Sequence, residues 1–242
     1  MDTTFALTVF APVNAAFDAL PAGLVNVLFG HADAWYYHWQ SLLLFHMVSE
    51  SISASEMTPG QIIEMLSGDS LELDLDFGVS IDDGTSSKSI IVIDIAAANG
   101  YLHLLSGVLE PSWFSEELDD TINALPSTST MKLLIDSVDG LEDELRGYGD
   151  SGEGFTFFSP VNAAISGPVV SGYSNQERTD FILNHLVVGV WAYDRLAAAG
   201  PRSFNAVGGA IIQVDIGAII VNADFPAVNG ILHTISTQLY TP

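Results

Sequence analysis

Four histidines carry most of the chemistry open to this sequence. His46 and His185 stand in apolar stretches of helical period, and His103 and His233 stand beside turns. A neutral imidazole donates one hydrogen bond and accepts another, ligates metals, and titrates near neutrality. Zinc takes three or four such ligands close together, but this pattern puts only two in each half, with no cysteine. Buried, hydrogen-bonded rings are therefore expected, with a pH switch as the sharper alternative. Glu72, Asp74 and Asp76 share one face of an alternating stretch, and Asp82 and Asp83 follow in a turn. Clustered carboxylates suit calcium, but EF-hand spacing is lacking, so they are weak calcium candidates on a solvated face. His31, Asp33 and His38 form a smaller cluster, read as a loop. Gly147 to Gly152 fits Gly-x-Gly-x-x-Gly but precedes a strand, which argues against a dinucleotide site. There is no nucleophile elbow, cysteine nucleophile or His-Glu-x-x-His motif. No catalytic residue, resident metal or cofactor is assigned.

These residues need elements to hold them. Leu7 to Phe10 reads as a β-rich run ending at Pro12, with helical sequence over 14–29 broken near Pro21 and a buried helix over 35–48. Thr58-Pro59-Gly60-Gln61 predicts a helix start, with the helix running to about Ser67. Leu71 to Asp76 alternates leucine with carboxylate, the pattern of a half-buried strand. Two more strands are expected at 89–95 and 101–109, joined at Asn99-Gly100. Residues 110–115 read as a linker, 116–147 as three helices and 147–154 as a glycine-rich loop. Ser174 and Glu177 cap a helix carrying Phe181, Ile182, Leu186 and Val187, and strands follow near 203–207, 210–215, 218–222 and 231–239. Trp35, Tyr36, Tyr37 and Trp39 crowd one short segment, and they cannot all face inward on one helix. With Phe45, His46, His185 and Trp191 they are the candidate partner-binding residues, in the regions 35–48 and 181–191.

The chain also says the same thing twice. Residues 8–17 return at 156–165 with seven of ten positions identical, and residues 94–103 return at 224–233. The same phrases in the same order, far apart, mark two copies of one domain, with boundaries at 1–112 and 113–242. Thr8, Phe10, Pro12 and Asn14, with Thr156, Phe158, Pro160 and Asn162, resemble the first signature of fasciclin domains. Asp94, Asn99, Gly100 and His103, with Asp224, Asn229, Gly230 and His233, resemble the second. The Tyr-His pair that the family usually places between them reads Phe45-His46 and Asn184-His185 here. Read physically, the prolines end strands, Asn14 and Asn162 can cap helices, Asn-Gly makes turns, and Asp94 and Asp224 can accept backbone N–H bonds there. The resemblance implies an α+β fold, each domain a twisted β-wedge or sandwich with helices packed around it. It also implies a non-enzymatic role in adhesion or protein interaction at cell surfaces or in matrices. The altered pair, and the lack of Arg-Gly-Asp, count against integrin binding through that region.

Composition bounds the partners. Thirty acidic residues against six basic ones give a formal net charge of -24, which disfavours nucleic acid and anionic lipid. Protein or matrix partners that are basic or cation-bridged are expected. No apolar run is long enough to span a membrane, and no glycosylation sequon occurs. The first thirteen residues lack the basic region of a signal peptide, so either a leader has been removed or the chain is a fragment. Copy 2 has helical sequence before its first strand and copy 1 has almost none. Truncation or processing of the N-terminal helices of copy 1, with the exposed apolar surface covered by copy 2 or another chain, is the expectation. An extracellular or cell-surface setting follows from the resemblance. The alternative is a structural subunit of a larger assembly in an algal thylakoid lumen; a ligand carrier or enzyme is a third reading.

Overall fold

A computed structural model describes residues 5–76, 78–147, 152–165, 172–215, 219–240 and 242. The chain forms two compact units, Met1–Leu28 with His38–Ser112, and Phe29–Tyr37 with Trp113–Pro242. The segment Phe29–Tyr37, from the sequence of the first half, thus belongs to the second unit. Both units mix helices and sheets in the α+β manner.

Unit 1 contains β1 (Leu7–Pro12), α1 (Asn14–Asp18), part of α2 (Ala22–Gly30) and of α3 (Tyr36–Leu44), and β2 (Met47–Val48). β3 (Ile62–Glu64), β4 (Ser70–Asp74), β5 (Ser80–Asp82), β6 (Ser87–Ala97) and β7 (Gly100–Leu105) follow. They form one sheet in the order β2-β1-β7-β6-β5-β4-β3, with β1 parallel to β7 and the other pairs antiparallel. One core fills it, built from Phe10, Phe45, Ile63, Leu71, Leu73, Ile81 and Leu105 among others. The helix expected after Thr58 is a correction. The Gln61 side chain does accept the Thr58 N–H at 3.0 Å, but Gly60 turns left-handed at φ 72 and the chain enters β3. Pairing with β4 buries the β-branched Ile63, which outweighs the local helix-start signal.

Unit 2 begins with α4 (Leu118–Ala124), α5 (Ser129–Asp136) and α6 (Leu141–Gly147). β8 (Phe155–Pro160), α7 (Asn175–Leu183), β9 (Leu186–Val188), α8 (Tyr193–Ala199), β10 (Arg202–Asn205) and β11 (Ile211–Val214) come next. β12 (Ile220–Ala227) and β13 (Gly230–Ile235) close it. The main sheet runs β12-β13-β8-β9, with β8 parallel to β13, and β10–β11 is a separate ribbon. Ser174 and Glu177 form the expected capping box of α7, but Leu186 and Val187 lie in β9 beyond its end.

This sheet is covered on both faces. Phe155, Phe157, Phe225 and Leu232 pack with Leu118, Ile122, Met131, Leu134 and Leu145 of α4–α6. On the opposite face Phe158 and Ile235 pack with Leu196, Phe204, Ile212 and Val214. Each fully buried side chain of this size contributes about 1.5–3 kcal/mol. Arg146 ties α6 to α4 through Asp119 at 2.7 Å and Asp120 at 3.1 Å. The hydrogen bond from Arg146 opposes the effect of burial on Asp119, whose carboxyl still sits above its usual range.

In both units the first and last long strands approach closely at a glycine. A Cβ on Gly100 would overlap the Leu7 carbonyl, and one on Gly230 the Phe155 carbonyl. That backbone approach, added to the turn at Asn99-Gly100 and Asn229-Gly230, requires glycine there.

Candidate functional site

The repeated residues build one frame twice. At the end of α3, His46 Nδ1 lies 2.8 Å from the Leu42 carbonyl, and Nε2 accepts the Leu109 N–H at 2.9 Å. After α7, His185 Nδ1 lies 2.7 Å from the Phe181 carbonyl, and Nε2 accepts the Leu239 N–H at 3.0 Å. A carbonyl only accepts, so both rings carry their proton on Nδ1. The strand histidines are the opposite tautomer. His103 Nδ1 accepts the Asp94 N–H at 3.2 Å and Nε2 donates to Ile52 at 2.9 Å. His233 Nδ1 accepts the Asp224 N–H at 3.2 Å and Nε2 donates to Trp191 at 2.8 Å. Both nitrogens of all four rings are engaged. Burial pushes His46 down and pushes His185 and His233 down to about 4, so these rings are neutral at physiological pH.

Threonine and aspartate complete the frame. Thr8 Oγ1 donates to the Glu50 carbonyl at 2.7 Å and accepts the Ile52 N–H at 2.8 Å. Thr156 Oγ1 donates to the Gly189 carbonyl at 2.8 Å and accepts the Trp191 N–H at 2.9 Å. Asp94 accepts the Ala54 N–H at 2.7 Å and Asp224 the Tyr193 N–H at 2.8 Å, both from left-handed backbone at φ 56 and φ 60. Burial, with the nearby charge of Asp194, raises Asp224 to about 6. The aspartates thus grip a distant loop and not their own turns, which corrects the expectation from turn chemistry. Threonine, aspartate and histidine converge on one connection in each unit, residues 50–54 and 189–193. Phe10 stacks on His103 at 5.4 Å and Phe158 on His233 at 5.5 Å. Sequence reasoning missed this convergence; the signal was the equal spacing of the polar residues in both copies.

The asparagines need a second correction. The residues at the N-caps are Val13 and Val161, so Asn14 and Asn162 cap nothing of their own. Asn162 instead accepts the Thr130 N–H at 2.8 Å and donates to the Pro126 carbonyl at 2.9 Å. Asn229 accepts the Leu118 N–H at 2.9 Å and reaches Leu145 at 3.4 Å. Both fasten the α4–α6 layer to the sheet.

Of the candidate partner-binding residues, Trp35, Phe45, His46 and His185 are buried. Tyr36, Tyr37, Trp39 and Trp191 are partly exposed. Trp39 donates to the Leu28 carbonyl at 2.7 Å. Trp191 is the most developed surface feature of unit 2. The guanidinium carbons of Arg195 and Arg202 lie 4.6 Å and 4.8 Å from its ring centre, and Phe204 meets it edge-on at 5.2 Å. Arg195, Trp191, Val188, Glu153 and His31 line an open cleft of about 280 Å³ beside it. Phe29, Val188 and Tyr193 stand exposed on the same unit. No ion pair holds Arg195 or Arg202 among the described residues.

The acidic cluster is taken up locally. Glu72 pairs across the ladder with Asp82, and Asp74 accepts the Asp76 N–H at 2.9 Å. Asp82 accepts the Gly84 N–H at 2.8 Å. Burial works against the Asp83 carboxylate, but hydrogen bonds from Thr85, Glu110 and Ser86 hold it below its usual range. No group of three metal-ligating side chains converges among the described residues. His38 is buried, whereas His31 and Asp33 are exposed. The Gly147–Gly152 phrase falls largely on residues 148–151, outside the described residues.

Comparison with known proteins gives matching results for the two halves. A family model described as the Fasciclin domain matches residues 2–111 and again 126–241. Human periostin is 29% identical over 181 residues, 74% of this chain and 20% of periostin. Rabbit transforming growth factor-beta-induced protein ig-h3 is 34% identical over 107 residues, 44% of this chain and 14% of that protein. Protein sll1483 of Synechocystis is 34% identical over 107 residues, 43% of this chain and 54% of that protein. The chain therefore spans a minor part of the two animal relatives and about half of the cyanobacterial one. Among solved structures, a FAS1 domain pair from the insect cell adhesion molecule fasciclin I aligns at TM-score 0.43 and 15% identity, over 97% of this chain and 88% of that one.

Proposed function

The chain belongs to the fasciclin family, with one domain in each half, and from that premise we propose that it is a non-catalytic cell-adhesion or protein–protein interaction module. We take the domains as residues 1–112 and 113–242. The observation that carries the reading is the Trp191 face. It joins a half-exposed tryptophan and two arginines with the exposed Val188 beside one cleft, and tryptophan and arginine are the residue types that dominate binding energy at protein interfaces. The two arginines place positive charge beside Trp191 in an acidic chain of net charge -24. A protein or matrix partner fits when it offers acceptors to Trp191's neighbours and basic or cation-bridged groups to the acidic remainder. The setting is extracellular or at the cell surface. No helix of the described residues is long and apolar enough to cross a membrane. Binding of the chain to cells or immobilised matrix is expected to fall at least about tenfold in Val188→Asp/Arg195→Glu, the usual size of a central-anchor loss. Unchanged binding by that folded variant would remove the face from the proposal.

One observation favours a second reading, a structural subunit docked in a larger assembly such as one in the thylakoid lumen. Ile91, Val92, Ile93 and Ile95 are all exposed on β6 of unit 1. Co-purification with native membranes, and not with culture medium, would select it.

A further inference from the structure

The arginines on Trp191 run against the charge logic of the rest of the chain. Six basic residues meet thirty acidic ones. Lys88, Lys132 and Arg146 are all held in ion pairs. Arg146 shows what a guanidinium does when carboxylates are in reach, taking Asp119 at 2.7 Å and Asp120 at 3.1 Å. Arg195 and Arg202 take no carboxylate among the described residues. Asp194, next in sequence, accepts the Arg195 backbone N–H at 2.6 Å. The two guanidiniums are gathered instead on one indole ring. Cation–π contact holds each in place and neutralises neither. Arg195 also lines two adjoining clefts of unit 2, of about 280 Å³ and 470 Å³, which have His31 and Ala34 in common. Exposed Val188 gives the first cleft an apolar wall and exposed Phe29 the second. Glu153 lines the first and Asp33 the second.

We propose that Arg195 and Arg202, held on Trp191, form a carboxylate site that takes one carboxylate of a partner polypeptide, in a segment whose neighbouring residues are apolar and basic. The carboxylate supplies the partner that the guanidiniums lack, since planar N–H forks match a carboxylate with two parallel bonds. Apolar neighbours lie against Val188 and Phe29. Basic ones answer Glu153, Asp33 and the net charge of -24. The same acids exclude a polyanion, whose charges on either side of the anchor would meet carboxylates. The inference rests on the Trp191 face as the interaction surface and names the chemistry that it recognises.

The test uses the full chain and a labelled, end-capped peptide with one aspartate flanked on each side by leucine and lysines, beside the same peptide with asparagine in its place. Lysines alone will draw either peptide to so acidic a chain, so the readout is the ratio of the two affinities by fluorescence anisotropy. The aspartate peptide is expected to bind about tenfold more tightly. In Arg195→Gln/Arg202→Gln that preference should vanish, and in Arg195→Gln alone, at an exposed position, it should shrink by about threefold. An asparagine peptide with a free C-terminal carboxylate separates the two sources of the group, and the tighter of the two carboxylate peptides identifies it. A ratio near one for the unaltered chain overturns the proposal, as does a preference that survives in the folded double variant. Displacement of the peptide by dextran sulfate at lower concentration than by unlabelled peptide would also overturn it, by giving the arginines to a polyanion. Cell or matrix binding by Val188→Asp/Arg195→Glu tests the face whatever it recognises, so a lost peptide preference with intact adhesion at that face sinks the carboxylate site alone. Unchanged adhesion with a tenfold preference sinks the adhesion reading alone.

Discussion

Unit 1 and unit 2 share the parallel pairing of first and last strands, the Asn-Gly turn and the paired histidine clamps. They part at the outer face of the sheet. In unit 2 every residue of β13 is buried, whereas in β7 Tyr101, Leu102 and Leu104 are only half-buried. The histidines and threonines therefore define an inner frame, a sheet plus one gripped loop, that is common to both units. What the layer adds is read in the apolar residues that meet it. Phe155 and Phe157 lie under helices in unit 2, and the smaller Leu7 and Val9 stand at the same places in unit 1. The shared motif residues do not distinguish the covered sheet from the open one, and their neighbours do.

The largest expected contrast lies at one position in each unit. Leu232 is fully buried beneath α4–α6, and its counterpart Leu102 is half-exposed. Leu232→Ala should destabilise unit 2 by about 3–4 kcal/mol, and Leu102→Ala should cost unit 1 about 1 kcal/mol, because only the first leaves a closed cavity. Thermal melts with amide exchange resolved by unit would read both. Equal losses would break the comparison and show that the outer face of unit 1 is covered as well as that of unit 2.

Acid sharpens it next. His185 and His233 have folded pKa values of about 4, below the ordinary value of 6.5. A depressed histidine stabilises the fold above its unfolded pKa, and that stability drains away as pH falls from 6.5 towards the folded value. By pH 5 the two rings together withdraw about 4 kcal/mol. Asp224 acts in the opposite sense. Its pKa, raised to about 6, costs stability at neutral pH and returns about 1 kcal/mol on acidification. Unit 2 is therefore expected to lose about 3 kcal/mol between pH 7 and pH 5. The melting temperature against pH, with histidine ring titration by NMR, would check this. A flat profile over that range would mean that the clamps open without protonation cost.

Much of this frame was legible in the sequence. Two ordered repeats revealed the duplication and the family, and the Leu71–Asp76 alternation located β4. The parts that misled have physical causes. At Thr58 a capping hydrogen bond formed as local chemistry dictates, but the strand partner that overrode the helix lies across a hairpin. α8 went unread although Leu196 to Ala199 are strong helix formers stopped by Gly200 at φ 67. The aromatic cluster at 35–39 was read as one patch, yet Trp35 belongs to unit 2, where it approaches Gly154, and Trp39 belongs to unit 1. No local pattern reports which residues more than a hundred positions away receive a side chain. The roles of Asn162 and Asp224 were hidden for the same reason, since their partners lie about thirty residues distant.

The smallest expected effect separates two explanations of the Asn-Gly pairs. If asparagine stands there only to make the turn, Asn99→Ala and Asn229→Ala should cost the two units alike, because the turn is the same. If its side chain is a clamp for the helical layer, the costs should differ. Asn229 is 5% exposed and its loss strands the buried Leu118 N–H, a penalty of about 1–3 kcal/mol. Asn99 is exposed and loses one solvent-accessible bond to Phe5, so its removal should fall within about 0.5 kcal/mol. Urea midpoints at constant slope, assigned to units by amide exchange, would resolve a difference of that size. Equal costs would return both residues to turn chemistry and leave Asn99 without a reason to face solvent. Unequal costs would show that the Asn229 side chain fastens the helical layer of unit 2 in a way the Asn99 bond to Phe5 does not match in unit 1.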